Sequence, residues 1–134
     1  MGRIHLNLVF ASLYSKLMMP EADLSSKLAI VTGANSGIGF EAAHALAQMG
    51  AHVILACRNR SRAEDAKKRI IESTGNFRVE VEILDCASFT SVRAFLSRWK
   101  ERESRRVDIL INNAGGFIVV GVPPDLVLTN YSDL

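Results

Sequence analysis

Cysteine is scarce in this 134-residue chain. Cys57 and Cys86 are too few and too isolated for a disulfide framework or a Cys-x-x-Cys metal site, so a reducing, cytoplasmic setting is expected. No run reaches the roughly 18 apolar residues of a membrane span. A large excess of charge of either sign is also missing: 22% of residues are charged and the net is +2, which argues against a nucleic-acid partner. Lys100 to Arg106 alternates in sign, has no interleaved aromatics and reads as a solvated helix end. His44 and His52 have no second ligand at metal spacing, so each reads as structural and no metal is expected. What remains is an ordinary globular composition, 49% hydrophobic, sized for one domain at most.

Residues 1–27 form a lead-in of mixed character. Ile4 to Leu17 is interrupted by His5 and Asn7 and lacks a clean small-x-small cleavage site, so it reads as a lead-in with, at most, weak membrane association. Gly2 is not followed by the hydroxyl residue at position 6 that myristoylation requires; Leu6 stands there.

From Leu28 two periodicities alternate. Short, mainly apolar runs at 28–32, 52–56 and 107–111, and the period-two alternation of 79–83, predict strands. Between them, apolar residues at helical spacing predict helices over 38–49, over 62–72 with a Ser61/Glu64 capping box and a stop at Gly75, and through Val92, Phe95, Leu96 and Trp99. The connections are long enough for parallel pairing, which gives an α/β class. Residues 28–32 are apolar on both faces, as an internal strand requires, whereas Glu80 and Glu82 share one face of the third strand and suit an edge. A doubly wound, Rossmann-type half-sheet in order 3-2-1-4 meets both conditions.

The chemistry is concentrated between the first strand and the first helix, in Thr32-Gly33-Ala34-Asn35-Ser36-Gly37-Ile38-Gly39. Gly33 allows a sharp turn off the strand, Gly37 lets backbone approach a pyrophosphate, and Gly39 permits close helix–strand contact. The helix then directs free N–H groups at the phosphates. No Gly-Lys-Ser/Thr follows, which excludes a Walker A loop. A methyltransferase would carry an acidic, glycine-dense loop where this chain has Thr32. At the end of the second strand stands Arg58, where an acidic side chain would select NAD and an arginine accommodates a 2′-phosphate.

The Gly-x-x-x-Gly-x-Gly spacing after Thr32 resembles the cofactor loop of the short-chain dehydrogenase/reductase family. Two further segments fall where that family has them. Asn112-Asn113-Ala114-Gly115 follows the fourth strand and Asp85 follows the third. The likeness covers 28–115, and Leu55-Ala56-Cys57-Arg58-Asn59 is closest to the retinol-dehydrogenase-like and WW-domain-oxidoreductase-like branch. It implies a nicotinamide dinucleotide cofactor, NADP(H) preferred over NAD(H), held by Gly33, Ser36, Gly37, Ile38, Gly39, Arg58, Asp85, Cys86, Asn112, Ala114 and Gly115. Asp85 would contact the adenine amino group, with Cys86 a small buried filler beside it. The implied reaction is hydride transfer on a carbonyl/alcohol pair of a small lipophilic substrate, and a second copy of the chain is a further candidate partner.

The family's Tyr-x-x-x-Lys is absent. Tyr14 is followed four places on by Met18, and Tyr131 lies too close to Leu134. The only candidate for the family's catalytic-site asparagine is Asn130, whose spacing from Gly115 is several residues short. The expectation is therefore three segments, a lead-in (1–27), an NADP-binding half-domain (28–115) ending after the fourth strand, and a departing tail (116–134). Such a chain is expected to be inactive alone. Its alternatives are a non-catalytic dinucleotide-binding or interaction module and a truncated product without function.

Overall fold

The computed structural model describes residues 22–115. Strands β1 (Leu28–Thr32), β2 (His52–Cys57), β3 (Val79–Ile83) and β4 (Ile109–Ile111) alternate with helices α1 (Gly37–Gln48), α2 (Arg60–Thr74) and α3 (Phe89–Lys100). The sheet is wholly parallel in the order β3-β2-β1-β4, as expected from strand texture. Leu28 pairs with His52, Ala29 with Ile109, and Val53 with Val79, so β1 and β2 are internal and β3 is an edge.

Alternation of side chains across each strand builds two apolar layers. Val31, Val53, Leu55, Cys57 and Val79 face α1 and α2, which contribute Phe40, Ala43, Ala47, Ala63, Ala66 and Ile70. The alanines on these helices let both lie close to the sheet. On the other face Ile30, Ile54 and Ala56 meet Phe95 and Trp99 of α3, whose rings stack at 5.8 Å.

Several expectations are corrected. Helix α2 begins at Arg60, because Asn59 caps it by accepting the Arg62 N–H at 3.0 Å; Ser61 lies inside the first turn. Its other end is as expected, with Gly75 in the left-handed region at φ 71°, where the absence of a Cβ removes the steric penalty. Strand β4 is shorter than 107–111, since the Asp108 carboxylate, not a strand partner, takes the Leu28 N–H at 2.8 Å. Leu96 is exposed, so the buried stripe of α3 narrows to Phe95 and Trp99. Arg102 is not simply solvated: it joins Glu80 (2.6 Å) and Glu82 (3.1 Å) and covers the Trp99 ring at 4.9 Å. Glu80 and Glu82 therefore lie under the end of α3. Residues 1–21 and 116–134, including most of the lead-in and Asn130, lie outside the described residues.

Candidate functional site

Parallel strands bring their carboxyl ends to one rim of the sheet, where loops can converge. Four segments meet there: the β1–α1 loop, the residues after β2, those after β3, and the Asn-Asn-Ala-Gly segment after β4. The first and last are tied through Thr32. Its hydroxyl donates to Ile111 O (3.3 Å) and accepts from the N–H groups of Asn113 and Ala114, both at 2.9 Å. Asn113 Nδ2 in turn donates to Thr32 O (3.0 Å) and Gly33 O (3.3 Å). Thr32 is the one buried polar side chain of the described core.

This clasp explains two of the three glycines. A Cβ on Gly39 would lie 2.5 Å from Gly33 O and also against Asn113 Nδ2, while one on Gly33 would meet Ala114 Cα at 3.1 Å. The close approach at Gly39 is thus to the neighbouring loop and the Asn113 amide. Gly37 is different. Its φ is +56° and a Cβ there would meet nothing within 4 Å, so the loop turns an open face outward at the start of α1. Ser36 takes the N-cap position with extended backbone, yet its side chain makes no capping bond. Its carbonyl accepts the Phe40 N–H at 3.2 Å, and the N–H groups of Gly37, Ile38 and Gly39 precede that first helical bond. A helix start with uncommitted donors, no acidic residue in its first turn and a glycine opening onto solvent is chemically fitted to an anion such as a phosphate. Ile38 is 83% exposed, an unusual position for a large apolar side chain at a helix start.

The neighbouring strand ends add the other groups. Arg58 follows the last residue of β2 and is exposed. Leu84 N–H donates to Cys57 O (3.0 Å), which brings the chain after β3 alongside. Asp85 is half-buried there: Oδ1 accepts the Ala87 N–H at 3.0 Å, its carbonyl accepts the Ser88 N–H at 3.1 Å, and its own N–H donates to Ser91 Oγ at 2.9 Å. That turn carries Cys86 outward. Cys86 is exposed, not a buried filler, because the turn is closed by Asp85 and Ser88 and leaves no interior for the intervening side chain. Asn112, Ala114 and Gly115 continue the rim beyond β4, with Asn112 exposed.

Thr32 and Asn113 stand within the motifs read from the sequence, but neither is among the site residues expected there, and their roles as hub and amide of the clasp are seen only in the structure. The available signal was a buried hydroxyl directly before the glycine loop. Among the described residues, no group of three His, Cys, Asp or Glu is arranged to hold a metal ion, and no helix is long and apolar enough to cross a membrane. A cavity of about 640 Å³ opens at the opposite rim among Lys27, His52, Arg78, Arg102 and Asp108. Several of its charges are paired within the chain. Arg78 donates to Ser25 O and Gly50 O, and Lys27 and Arg106 pair with Asp108.

Residues 27–130 match the short chain dehydrogenase family model, and the chain belongs to that oxidoreductase family. It is similar to the WW domain-containing oxidoreductase of Gallus gallus, 50% identical over 95 residues that cover 71% of this chain and 23% of that protein. It is also 48% identical over 95 residues to human retinol dehydrogenase 13, covering 71% and 28%. The retinol-dehydrogenase-like branch read from the sequence is the one these relatives represent. Among solved structures, the RhlG/NADP active-site complex of Pseudomonas aeruginosa aligns with a TM-score of 0.62 and 33% identity, over 73% of this chain and 38% of that one. The chain spans about a quarter of the length of the two curated relatives.

Proposed function

We propose that this chain carries the cofactor-binding half of an NADP(H)-dependent short-chain dehydrogenase/reductase, acting on a carbonyl/alcohol pair of a small lipophilic molecule. When bound, the nicotinamide would supply or accept hydride. The N–H groups of Gly37, Ile38 and Gly39, with the Ser36 hydroxyl, hold the pyrophosphate; Gly33 keeps the loop low enough for it to approach. Arg58 would take the 2′-phosphate through a bidentate ion pair that the neutral 2′-hydroxyl of NAD cannot form. Asp85, with Cys86 backbone beside it, would receive the adenine, and Asn112, Ala114 and Gly115 would help hold the dinucleotide from the segment after β4.

The observation that carries this reading is the open face at Gly37 beside an exposed Arg58 on the adjacent strand end. The RhlG complex with NADP is consistent with the same cofactor class. Within these 134 residues no tyrosine has a lysine four places on, and a lone tyrosine hydroxyl with its pKa near 10 is a poor proton donor or acceptor at neutral pH. The chain alone is therefore proposed to bind cofactor without turning it over.

Nicotinamide fluorescence on titrating NADPH into the chain tests this. Saturable binding is expected, with no consumption of NADPH when aliphatic or aromatic aldehydes are added. Carbonyl reduction by the purified chain would overturn the proposed silence, and an unchanged affinity in Gly37→Val would overturn the phosphate assignment. A second reading, a binding module that works without chemistry, is favoured by the missing Tyr-x-x-x-Lys. Capture of a catalytically complete subunit of the same family by the chain would support it.

A further inference from the structure

Helix α3 has a serine at its N-cap and another at its third helical position. Ser88 is the cap, its Oγ accepting the Ser91 N–H at 3.2 Å. In a reciprocal capping box the third helical side chain would reach back to the N-cap N–H. Here the Ser88 N–H already donates to Asp85 O at 3.1 Å, and Ser91 Oγ reaches past it to accept the Asp85 N–H at 2.9 Å. Asp85 is thereby held through its N–H by Ser91, through its carbonyl by Ser88, and through Oδ1 by the Ala87 N–H at 3.0 Å. The turn uses Oδ1 and leaves Oδ2 to a donor from outside. Ser91 precedes Phe95 and Trp99 by four and eight residues, so it lies on the stripe of α3 that packs on the sheet, at the end nearest the cofactor rim. Phe95 and Trp99 fill that stripe with rings. A half-buried hydroxyl in the same stripe adds little apolar burial and supplies an acceptor instead.

We propose that Ser91 is a positioning residue for adenine recognition: by accepting the Asp85 N–H from the first turn of α3, it fixes the carboxylate that follows β3 at the cofactor rim. The functional consequence rests on the cofactor reading above, while the contact itself does not. Leu84 N–H makes the last bond to β2, donating to Cys57 O at 3.0 Å, so Asp85 is the first residue beyond the sheet. The bonds from Ala87 and Ser88 close the turn on itself. The bond to Ser91 ties the start of that turn to the body of α3, which Phe95 and Trp99 anchor on the sheet. Without it, the turn can stay closed and still swing about Leu84, carrying the carboxylate with it. An amino group on the adenine is a donor that a fixed carboxylate oxygen accepts, and the strength of that bond depends on distance and angle. Replacing the amino group by a carbonyl, as in the hypoxanthine (deamino) analogue of NADPH, removes the donor and isolates this contact from the rest of the dinucleotide.

Affinities for NADPH and for its deamino analogue, with hydrogen exchange at the Asp85 amide, test the proposal on the full 134-residue chain and its Ser91→Ala and Ser91→Thr variants. In Ser91→Ala the Asp85 amide should exchange about tenfold faster, the scale of removing one hydrogen bond, with β1 and β2 protection unchanged. NADPH affinity should fall about three- to tenfold in that variant, while affinity for the deamino analogue falls by no more than about twofold. Ser91→Thr keeps the hydroxyl and should match wild type in all three measurements. A merely structural role for Ser91 predicts equal losses for the two nucleotides. An unchanged ratio of the two affinities in Ser91→Ala, unchanged exchange at Asp85, or the same losses in Ser91→Thr would overturn the proposal. Failure of wild type to bind either nucleotide, or equal binding of both, would sink the cofactor reading instead, and the exchange at Asp85 would still decide whether Ser91 holds the turn.

Discussion

At the scale of single residues, glycines two positions apart have opposite consequences. Gly39 is enclosed: an added Cβ meets the Gly33 carbonyl and the Asn113 amide, neither of which can move without opening the clasp. Gly39→Ala is expected to cost about 1–3 kcal/mol, the range for overpacking, readable as a lowered urea midpoint. Gly37 faces open space, so Gly37→Ala should cost only the left-handed strain of roughly 1–2 kcal/mol while losing far more in cofactor affinity than Gly39→Ala loses per unit of stability. Thr32→Val keeps the shape of a buried side chain and removes the acceptor shared by Asn113 and Ala114. A loss of about 2 kcal/mol is expected, because two half-buried N–H groups are left without it. Equal stability of Thr32→Val and wild type would show that water replaces the hydroxyl at no cost. The motif glycines were legible in the sequence as a group, since their spacing is local. Their division of labour was not, because it depends on Asn113, some 80 positions away.

Elements were legible where a single periodicity settled them and obscure where two local signals competed. Ser61 with Glu64 has the letters of a capping box, but Asn59 two residues earlier caps equally well and its side-chain Oδ1 accepts the Arg62 N–H, so the helix starts sooner. In α3, Leu96 shares the helical stripe with Phe95 and Trp99 yet is 48% exposed, since only the latter pair reaches the sheet. Helix α3 is also held by charge. Glu80 lies between His52 Nε2 and Arg102, each at 2.6 Å, and Glu82 lies between Arg98 and Arg102 at 3.1 Å. Burial by itself would raise the Glu80 carboxyl, but the hydrogen bonds and charge of Arg102 and His52 outweigh it and hold it below its ordinary value of 4.5. With the folded value depressed, the stabilisation is fully present above about pH 4.5 and is lost as pH falls through the folded value. Glu80 is 42% exposed, so solvent screens much of it. Acid titration of unfolding should therefore show a modest slope below pH 4.5 that Glu80→Gln flattens; an identical slope in the variant would contradict this assignment. Trp99→Ala removes the main apolar anchor of the same helix and should cost about 3–5 kcal/mol.

For the molecule as a whole, one edge stands out. Among the described residues the outer edge of β4 has no strand partner, and Leu110 (56% exposed), Leu96 and Val107 lie exposed. An unpaired apolar edge favours self-association. The chain is expected to associate increasingly with concentration in sedimentation velocity. Leu96→Glu combined with Leu110→Lys should shift it towards monomer without lowering the unfolding free energy by more than about 0.5 kcal/mol. Unaltered association in the double variant would place the contact elsewhere. Strand order was legible because parallel sheets bury their central strands on both faces and leave mixed ones outside, a rule that 28–32 and 79–83 obey clearly. The outward turn of Cys86 was not, as it follows from hydrogen bonds closing around Asp85 and not from the polarity of cysteine.

The central claim is that the rim formed by the glycine loop, Arg58 and Asp85 binds NADP(H). Its most direct test is a pair of titrations, NADPH and NADH, on the chain and on Arg58→Glu. NADPH should bind the chain more tightly than NADH. The substitution should cut NADPH affinity by about 10- to 100-fold, the scale of removing a charge-assisted hydrogen bond, while sparing NADH. No saturable binding of either nucleotide by folded chain, or an equal fall for both in Arg58→Glu, would contradict the account.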